Sequence, residues 1–307
     1  MRREHRSSTL GSLVLLAGLA LAGTPSATAA PGAVVAPDRV TKAQSEIHQL
    51  ESTAGRPYTL FRYAVPETGS VPHILAIDDD DHVWFSESGG RFAKNFIDAP
   101  PQGRLGRLDK NGTISEWQLT GAETSPMGII FDDQKNLWIS ERLGNRITRR
   151  SPTGELVSWE IPTPGAWPTG IDIDSKGRVW FTETKGDKIG VIDPASGELK
   201  EYALPAVKTM TTGIAIDHQD RIWVAERDVN TIAVFEPKTE TFTQYPLSTP
   251  EAKPCALVVT ADGSVWFSQR GGGKIGRVEP DGTIREYLVP DRFSGPFFLV
   301  TDRRGDL

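Results

Sequence analysis

Apolar and polar residues alternate with a period of two along most of the chain. In residues 169–205 the pattern resolves into four short runs, TGIDID, RVWFTE, KIGVID and ELKEYALP. They are rich in Val, Ile, Thr and aromatics, which suit a pleated surface with a buried face. Ser175-Lys176-Gly177 and Pro194-Ala195-Ser196-Gly197 supply turn chemistry between them. The unit recurs: Trp84, Trp138, Trp180, Trp223 and Trp266 mark the second run of each copy, at intervals of 54, 42, 43 and 43 residues. Four antiparallel strands in about 40–45 residues predict a propeller blade. A helical solenoid of similar period would repeat its apolar residues every 3.6 positions, and this chain does not. The outer-strand run occurs six times: TLFRYAVP, TISEWQLT, ELVSWEIP, ELKEYALP, TFTQYPLS and TIREYLVP. The reading is an all-β propeller over residues 57–307, with five blades and the start of a sixth, incomplete at its C-terminus. The first outer run, Thr59–Pro66, is expected to be a closing strand whose partners are absent, because a propeller removes its sheet edges by such pairing.

Residues 1–29 read as an export signal. Arg2, Arg3 and Arg6 precede the apolar run Leu10–Gly23, and Ala27-Thr28-Ala29 follows as an A-x-A site. Cleavage after Ala29 and secretion are expected. The apolar run is too short for a stable membrane span. Residues 30–56 lie outside the repeat, and RVTKAQSEIHQLEST within them offers a short helix. Net charge is −6 for the whole chain. Removing Arg2, Arg3, Arg6 and Glu4 takes away +2 and leaves about −8, which argues against a nucleic-acid partner. Cys255 is the sole cysteine, so an exported protein would rely on its core rather than on an internal disulfide. A monomer with a small-molecule or cyclic-peptide ligand is the expected form.

Connectivity places candidate chemistry at one end. With four antiparallel strands per blade, strand one begins where strand two ends. Glu87, Glu141, Glu183 and Glu226 end the second strands, and Gln269 takes that place in the fifth copy, as a candidate ligand-binding residue at the mouth. His73, Met127, Thr169, Thr212, Cys255 and Phe297 open the first strands. The acids repeat almost unchanged, as a structural acceptor of loop N–H groups would. The other ring changes chemistry from blade to blade, as a site for an asymmetric ligand would. His73 is its only histidine, since His82 and His218 fall in turns at the opposite end. Carboxylates near His73 would raise its pKa and share a divalent cation with it, Mg2+ or alternatively Ca2+. The insertion SGGRFAKNFIDAPPQGR in the first blade is a candidate lid or specificity loop. IDDDDH, Asp78 to His82, lacks the spacing and glycine of a calcium loop and reads as a β-turn. No G-x-S-x-G, H-E-x-x-H, P-loop or G-x-G-x-x-G occurs in a supporting context, and Cys255 has no evident base beside it.

The runs PTGIDIDSKGRVWFTETKGDKIGVID and GSVWFSQRGGGKIGRVEPDGTIREYLVP resemble those of the virginiamycin B lyases, or streptogramin lyases, over roughly residues 57–307. The resemblance implies a seven-bladed propeller that linearises cyclic depsipeptide antibiotics by elimination. It also implies Mg2+, histidines and glutamates at the upper end of the channel, and hence a role in antibiotic resistance. Pro72-His73 matches the family's P-H opening, and Glu87, Glu141, Glu183 and Glu226 match W-F-T-E as metal candidates. The fifth and sixth openings read KPCAL and GPFFL instead, and Gln269 departs from the acid. A lactonase-type propeller that hydrolyses esters with metal-bound water, and a non-catalytic ligand-binding propeller, are the competing readings.

Overall fold

The computed structural model describes residues 13–17, 36–42, 45–51, 57–65, 72–88, 103–120, 124–279, 281–290, 294–301 and 307. Most of the export signal and of the first-blade insertion therefore lies outside the described residues. Among these residues every regular element is a strand. The chain divides into two compact units, residues 1–31 with 36–120, and residues 32–35 with 121–307.

The first unit contains β1 (Leu13–Ala17), β2 (Arg39–Lys42), β3 (Ser45–Glu51), β4 (Pro57–Val65), β5 (Pro72–Ile77), β6 (Val83–Glu87), β7 (Arg104–Leu108) and β8 (Thr113–Gln118). Strands β5 to β8 are the first blade, and β2 extends it as a fifth strand on β8. The helix offered by RVTKAQSEIHQLEST is corrected to two strands, β2 and β3. A short isolated helix is marginal in water, whereas here β8 and β4 supply ready partners along both segments. The closing-strand expectation is corrected as well. β4 is not left without partners, because it pairs antiparallel with β3, and in the uncleaved chain also parallel with β1. Val65 is buried with Phe85, Leu108 and Ile114, against the partly buried Tyr63 and Val83.

The second unit repeats one plan four times. The second blade is β9 (Pro126–Phe131), β10 (Leu137–Glu141), β11 (Arg146–Arg150) and β12 (Leu156–Glu160). The third is β13 (Pro168–Ile173), β14 (Val179–Glu183), β15 (Lys188–Ile192) and β16 (Leu199–Ala203). The fourth is β17 (Thr211–Ile216), β18 (Ile222–Glu226), β19 (Thr231–Glu236) and β20 (Thr241–Pro246). The fifth is β21 (Pro254–Val259), β22 (Val265–Gln269), β23 (Lys274–Val278) and β24 (Ile284–Leu288). Each is an antiparallel sheet in sequence order. The innermost strands β9, β13, β17 and β21 pack in series. Between successive blades lie apolar layers, such as Trp138, Ile147, Ile161, Val179 and Phe181, or Trp180, Leu204, Val224 and Phe235. Burying whole aromatic and aliphatic side chains is the main favourable term, about 1.5–3 kcal/mol for each.

The marker tryptophans are anchored at the lower end. Trp84, Trp138, Trp180 and Trp223 each donate the indole N–H to an aspartate six residues earlier, Asp78, Asp132, Asp174 and Asp217, at 2.8–3.0 Å. The other carboxylate oxygen accepts backbone N–H groups of the turn. This accounts for the aspartate that recurs six residues before the tryptophan in four blades and confirms a β-turn over Asp78–His82.

Candidate functional site

The repeated acids lie opposite the residue that opens each inner strand. The paired positions are Pro72 with Glu87, Pro126 with Glu141, Pro168 with Glu183, Thr211 with Glu226, and Pro254 with Gln269. All five side chains are 0–1 % exposed. In the second unit they reach along their own sheet. Arg146 Nη2 donates to Glu141 at 2.8 Å and the Thr148 hydroxyl donates to the other oxygen. Gln244 Nε2 donates to Glu226 at 2.9 Å. Gln269 Nε2 donates to Glu286 at 2.8 Å, while Lys274 reaches the second Glu286 oxygen at 2.8 Å. Glu183 lies beside Glu201, which already accepts from Lys188 at 2.9 Å and from the Thr163 N–H at 3.0 Å. Burial, and then the Glu201 charge, push Glu183 up to about 8. Burial also raises Glu226. Glu286 also accepts from the Thr249 hydroxyl at 2.6 Å, and the Gln269 amide donates to its other oxygen where Glu183, in the equivalent place beside Glu201 and Lys188, has no proton to give unless it is protonated.

His73, Met127, Thr169, Thr212 and Cys255 are each the second residue of an inner strand, β5, β9, β13, β17 and β21, and Phe297 lies outside any strand. In the second unit several members are held by the frame itself. Ser140 Oγ donates to the Thr169 carbonyl at 2.8 Å, Thr182 Oγ1 to the Thr212 carbonyl at 3.1 Å, and Ser268 Oγ to the Phe297 carbonyl at 2.9 Å. In the fourth blade Ala225 has no hydroxyl, and Thr212 Oγ1 donates to the Cys255 carbonyl at 3.1 Å instead. Blade thus follows blade through one repeated clasp. Glycine follows Met127, Thr169 and Thr212 because the next blade is so close: a Cβ on Gly213 would stand 2.1 Å from the Cys255 carbonyl oxygen. Cys255 is 3 % exposed, and burial raises its thiol pKa, so it is a packed thiol rather than a ready nucleophile. Thr169 accepts from the Thr184 hydroxyl at 2.7 Å. Met127 is buried and Phe297 is 38 % exposed. In the first unit His73 follows Pro72, and the Ile74 N–H donates to Ser86 Oγ at 3.2 Å.

Cations at this end were not singled out from the sequence. The residue after the strand-two acid or amide is Arg142, Arg227 and Arg270 in blades two, four and five, and Thr184 with Lys185 stands there in blade three. Their backbones are tied to the loop opening the next strand. Arg142 N–H bonds to the Ser125 carbonyl at 3.1 Å, Thr184 N–H to Trp167 at 3.2 Å, and Arg270 N–H to Lys253 at 3.3 Å. Ser125, Trp167, Met210 and Lys253 all adopt left-handed φ, between 46° and 59°. The Arg142 guanidinium lies 3.9 Å from the Trp167 ring centroid, and the Lys185 ammonium 3.3 Å from it. Burial and the neighbouring Arg227 charge lower Arg142 to about 10. The available signal was the repeated dipeptide Glu-Arg, Glu-Arg, Gln-Arg at the ends of three second strands.

The signature of the virginiamycin B lyase family matches residues 96–307. The chain belongs to that family. A solved virginiamycin B lyase from Staphylococcus aureus is similar, with 28 % identity, a TM-score of 0.71 and coverage of 83 % of this chain and 82 % of that one. A streptogramin B lyase structure is similar at 25 % identity and a TM-score of 0.72, covering 84 % and 81 % of the two chains. A gluconolactonase from Xanthomonas campestris, at 17 % identity and a TM-score of 0.55, covering 76 % and 80 %, shares the fold. No curated protein sequence matches.

The family resemblance implies Mg2+, so the fit of these residues to a hard cation matters. Mg2+ binds through charged, accessible carboxylate oxygens and retained waters. Glu141 is paired with Arg146, Glu183 is largely protonated at neutral pH, and Glu226 is buried against Gln244. These three side chains do not fit a Mg2+ site. One acidic group elsewhere does gather ligand atoms: Asp78, Asp80 and His82 bring one each within 4.8 Å of one another. Yet Asp78 is held by Trp84, His82 and turn N–H groups. The equivalent turns are closed by Asn136, Arg178 and Arg221, and an arginine there excludes a cation. The His82 turn is therefore the lower-end bracket of the repeat.

Proposed function

We propose that the protein acts on cyclic depsipeptides of the streptogramin B type and opens their ring ester by elimination. The observation that carries this reading is the change of side chain at Met127, Thr169, Thr212 and Cys255 on a frame otherwise constant within the second unit, in a chain of the virginiamycin B lyase family, with His73 at the corresponding register position of the first blade. One of the similar solved structures, at 23 % identity, is a catalytically inactive virginiamycin B lyase from Staphylococcus aureus with quinupristin. The chemistry is an elimination. A base removes the proton on a carbon beside a carbonyl, the C–O bond at the neighbouring carbon breaks, a carboxylate leaves and a double bond forms. A neutral imidazole suits that proton transfer, and His73 is the candidate in the ring. No step is assigned to a metal, because Glu141 is paired with Arg146, Glu226 accepts from Gln244, and Glu183 is held largely protonated by burial.

A second reading, a recognition propeller without turnover, is favoured by that same engagement of Glu141, Glu226 and Gln269. Incubation of the full chain with quinupristin, followed by chromatography with mass detection, separates the readings. A ring-opened product of unchanged mass that disappears in His73→Ala supports elimination. A product heavier by one water selects hydrolysis. Saturable binding of unchanged quinupristin selects recognition. Residues 1–29 are proposed as an export signal, so intact mass of protein from culture medium is expected to begin at Ala30. Material retaining Met1 or Arg2 would overturn that part.

A further inference from the structure

Arg142 and Arg227 occupy the same register position in blades two and four, and Trp167 and Lys253 open the loops that follow them. The two places are filled differently. Beside Arg142 the Trp167 ring covers the guanidinium at 3.9 Å. Beside Arg227 the left-handed residue is Lys253, and the space that a tryptophan would take is open. An open depression of about 390 Å3 lies there, lined by Arg227, Asp228, Asn230, Glu251 and Lys253, a volume within the usual range of about 300–1,000 Å3 for ligand pockets. Arg270 adjoins it, since its N–H bonds to the Lys253 carbonyl.

We propose that this depression at the upper end of the fourth and fifth blades is a binding site for a carboxylate-bearing ligand, held by Arg227, Lys253 and Arg270. Arg227 gives its Nε to Asp228 at 2.8 Å, which fixes the plane of the guanidinium. Arg270 stands 5.2 Å from the Phe297 ring, and no carboxylate of the described residues lies within salt-bridge distance of it. Two parallel N–H donors match the two oxygens of a carboxylate. Two acids line the space, Asp228 on Arg227 and the exposed Glu251 at 3.6 Å from Lys253. Arg227, Lys253 and Arg270 outnumber them, on a chain whose net charge is −6. Under the elimination reading the opened ester releases such a carboxylate. That link rests on the reading, whereas the site itself does not.

The test is calorimetric titration of the full chain with citrate, its trimethyl ester and inorganic phosphate at low salt. Expected is saturable citrate binding, none with the neutral ester, and at least fivefold weakening in each of Arg227→Gln, Lys253→Gln and Arg270→Gln, with melting temperatures unchanged. Phosphate binding weaker than citrate and sensitive to the same substitutions also supports the site. Lys176→Gln, in a turn at the opposite end, should leave affinity intact. Equal weakening by Lys176→Gln, phosphate binding without citrate, or no saturable heat would each overturn the proposal. Because the probes need no turnover, loss of lyase activity with intact citrate binding would count against the elimination reading alone.

Discussion

At pH 7 the Glu183 carboxyl is held mostly protonated, because burial and the adjacent Glu201 raise it from 4.5 to about 8. A folded-state pKa above the unfolded one means the folded protein binds the extra proton. The resulting stability is complete below about pH 4.5 and is lost as pH climbs towards 8. Glu183→Gln, which imitates the protonated form, should remove that loss, on the order of 3–4 kcal/mol between pH 5 and pH 8. Chemical denaturation of both proteins at pH 5 and pH 8 measures it, and equal slopes would refute this account of Glu183. Gln269→Glu is the reverse experiment. It places a second acid beside Glu286 with Lys274 as the nearby cation, so the melting temperature should fall at pH 8 far more than at pH 5. Both changes lie inside a blade, and neither should alter ligand binding if the acids are structural.

At the scale of the strand, the blades are joined by hydroxyls that bridge a glycine N–H of their own sheet and a carbonyl of the next. Ser140 accepts from Gly128 N–H at 2.9 Å and donates to Thr169. Ser140→Ala leaves both groups buried without that partner, at a cost of about 1–3 kcal/mol. Thr212→Val tests the variant clasp of the fourth blade and should cost about 1 kcal/mol. Gly213→Ala drives a Cβ into a backbone carbonyl and should cost about 2–3 kcal/mol, read from denaturation midpoints. These elements were legible in the sequence to different depths. The tryptophan interval and the alternation gave the sheets of the second unit almost to the residue, because each strand pairs with its immediate neighbour. The position of Met127, Thr169, Thr212 and Cys255 at one end of the second unit followed from connectivity alone. The partners of Glu141, Glu226 and Gln269 did not, since Arg146, Gln244 and Glu286 lie on third and fourth strands and meet them only when the register is known. The strands β2 and β3 were missed because their pattern is short and their partners are distant. Trp167 and Lys253 were missed because a left-handed backbone at a non-glycine residue leaves no mark in composition.

At the scale of the molecule, the repeat separates support from recognition. Lower-end aspartates hold the tryptophans, upper-end acids tie strands two, three and four together, and apolar layers join neighbouring blades. The aspartate bracket recurs in the first four blades, and a Thr260–Asp262–Ser264 turn replaces it in the fifth. What differs between blades, the ring and the cations around Trp167 and Lys253, is where specificity can reside. This division has a consequence for cations. If the recurring acids are internal acceptors, Mg2+ and Ca2+ have no hold on stability through them. The direct measurement is the melting temperature of the full chain after EDTA treatment and after return of millimolar Mg2+ or Ca2+, in the native protein and in the double variant Glu183→Gln, Glu226→Gln. The account predicts the same melting temperature in all three conditions for each protein. A fall of several degrees with EDTA, restored by the metal and abolished in the double variant, would show that the acids bind a cation and would contradict it.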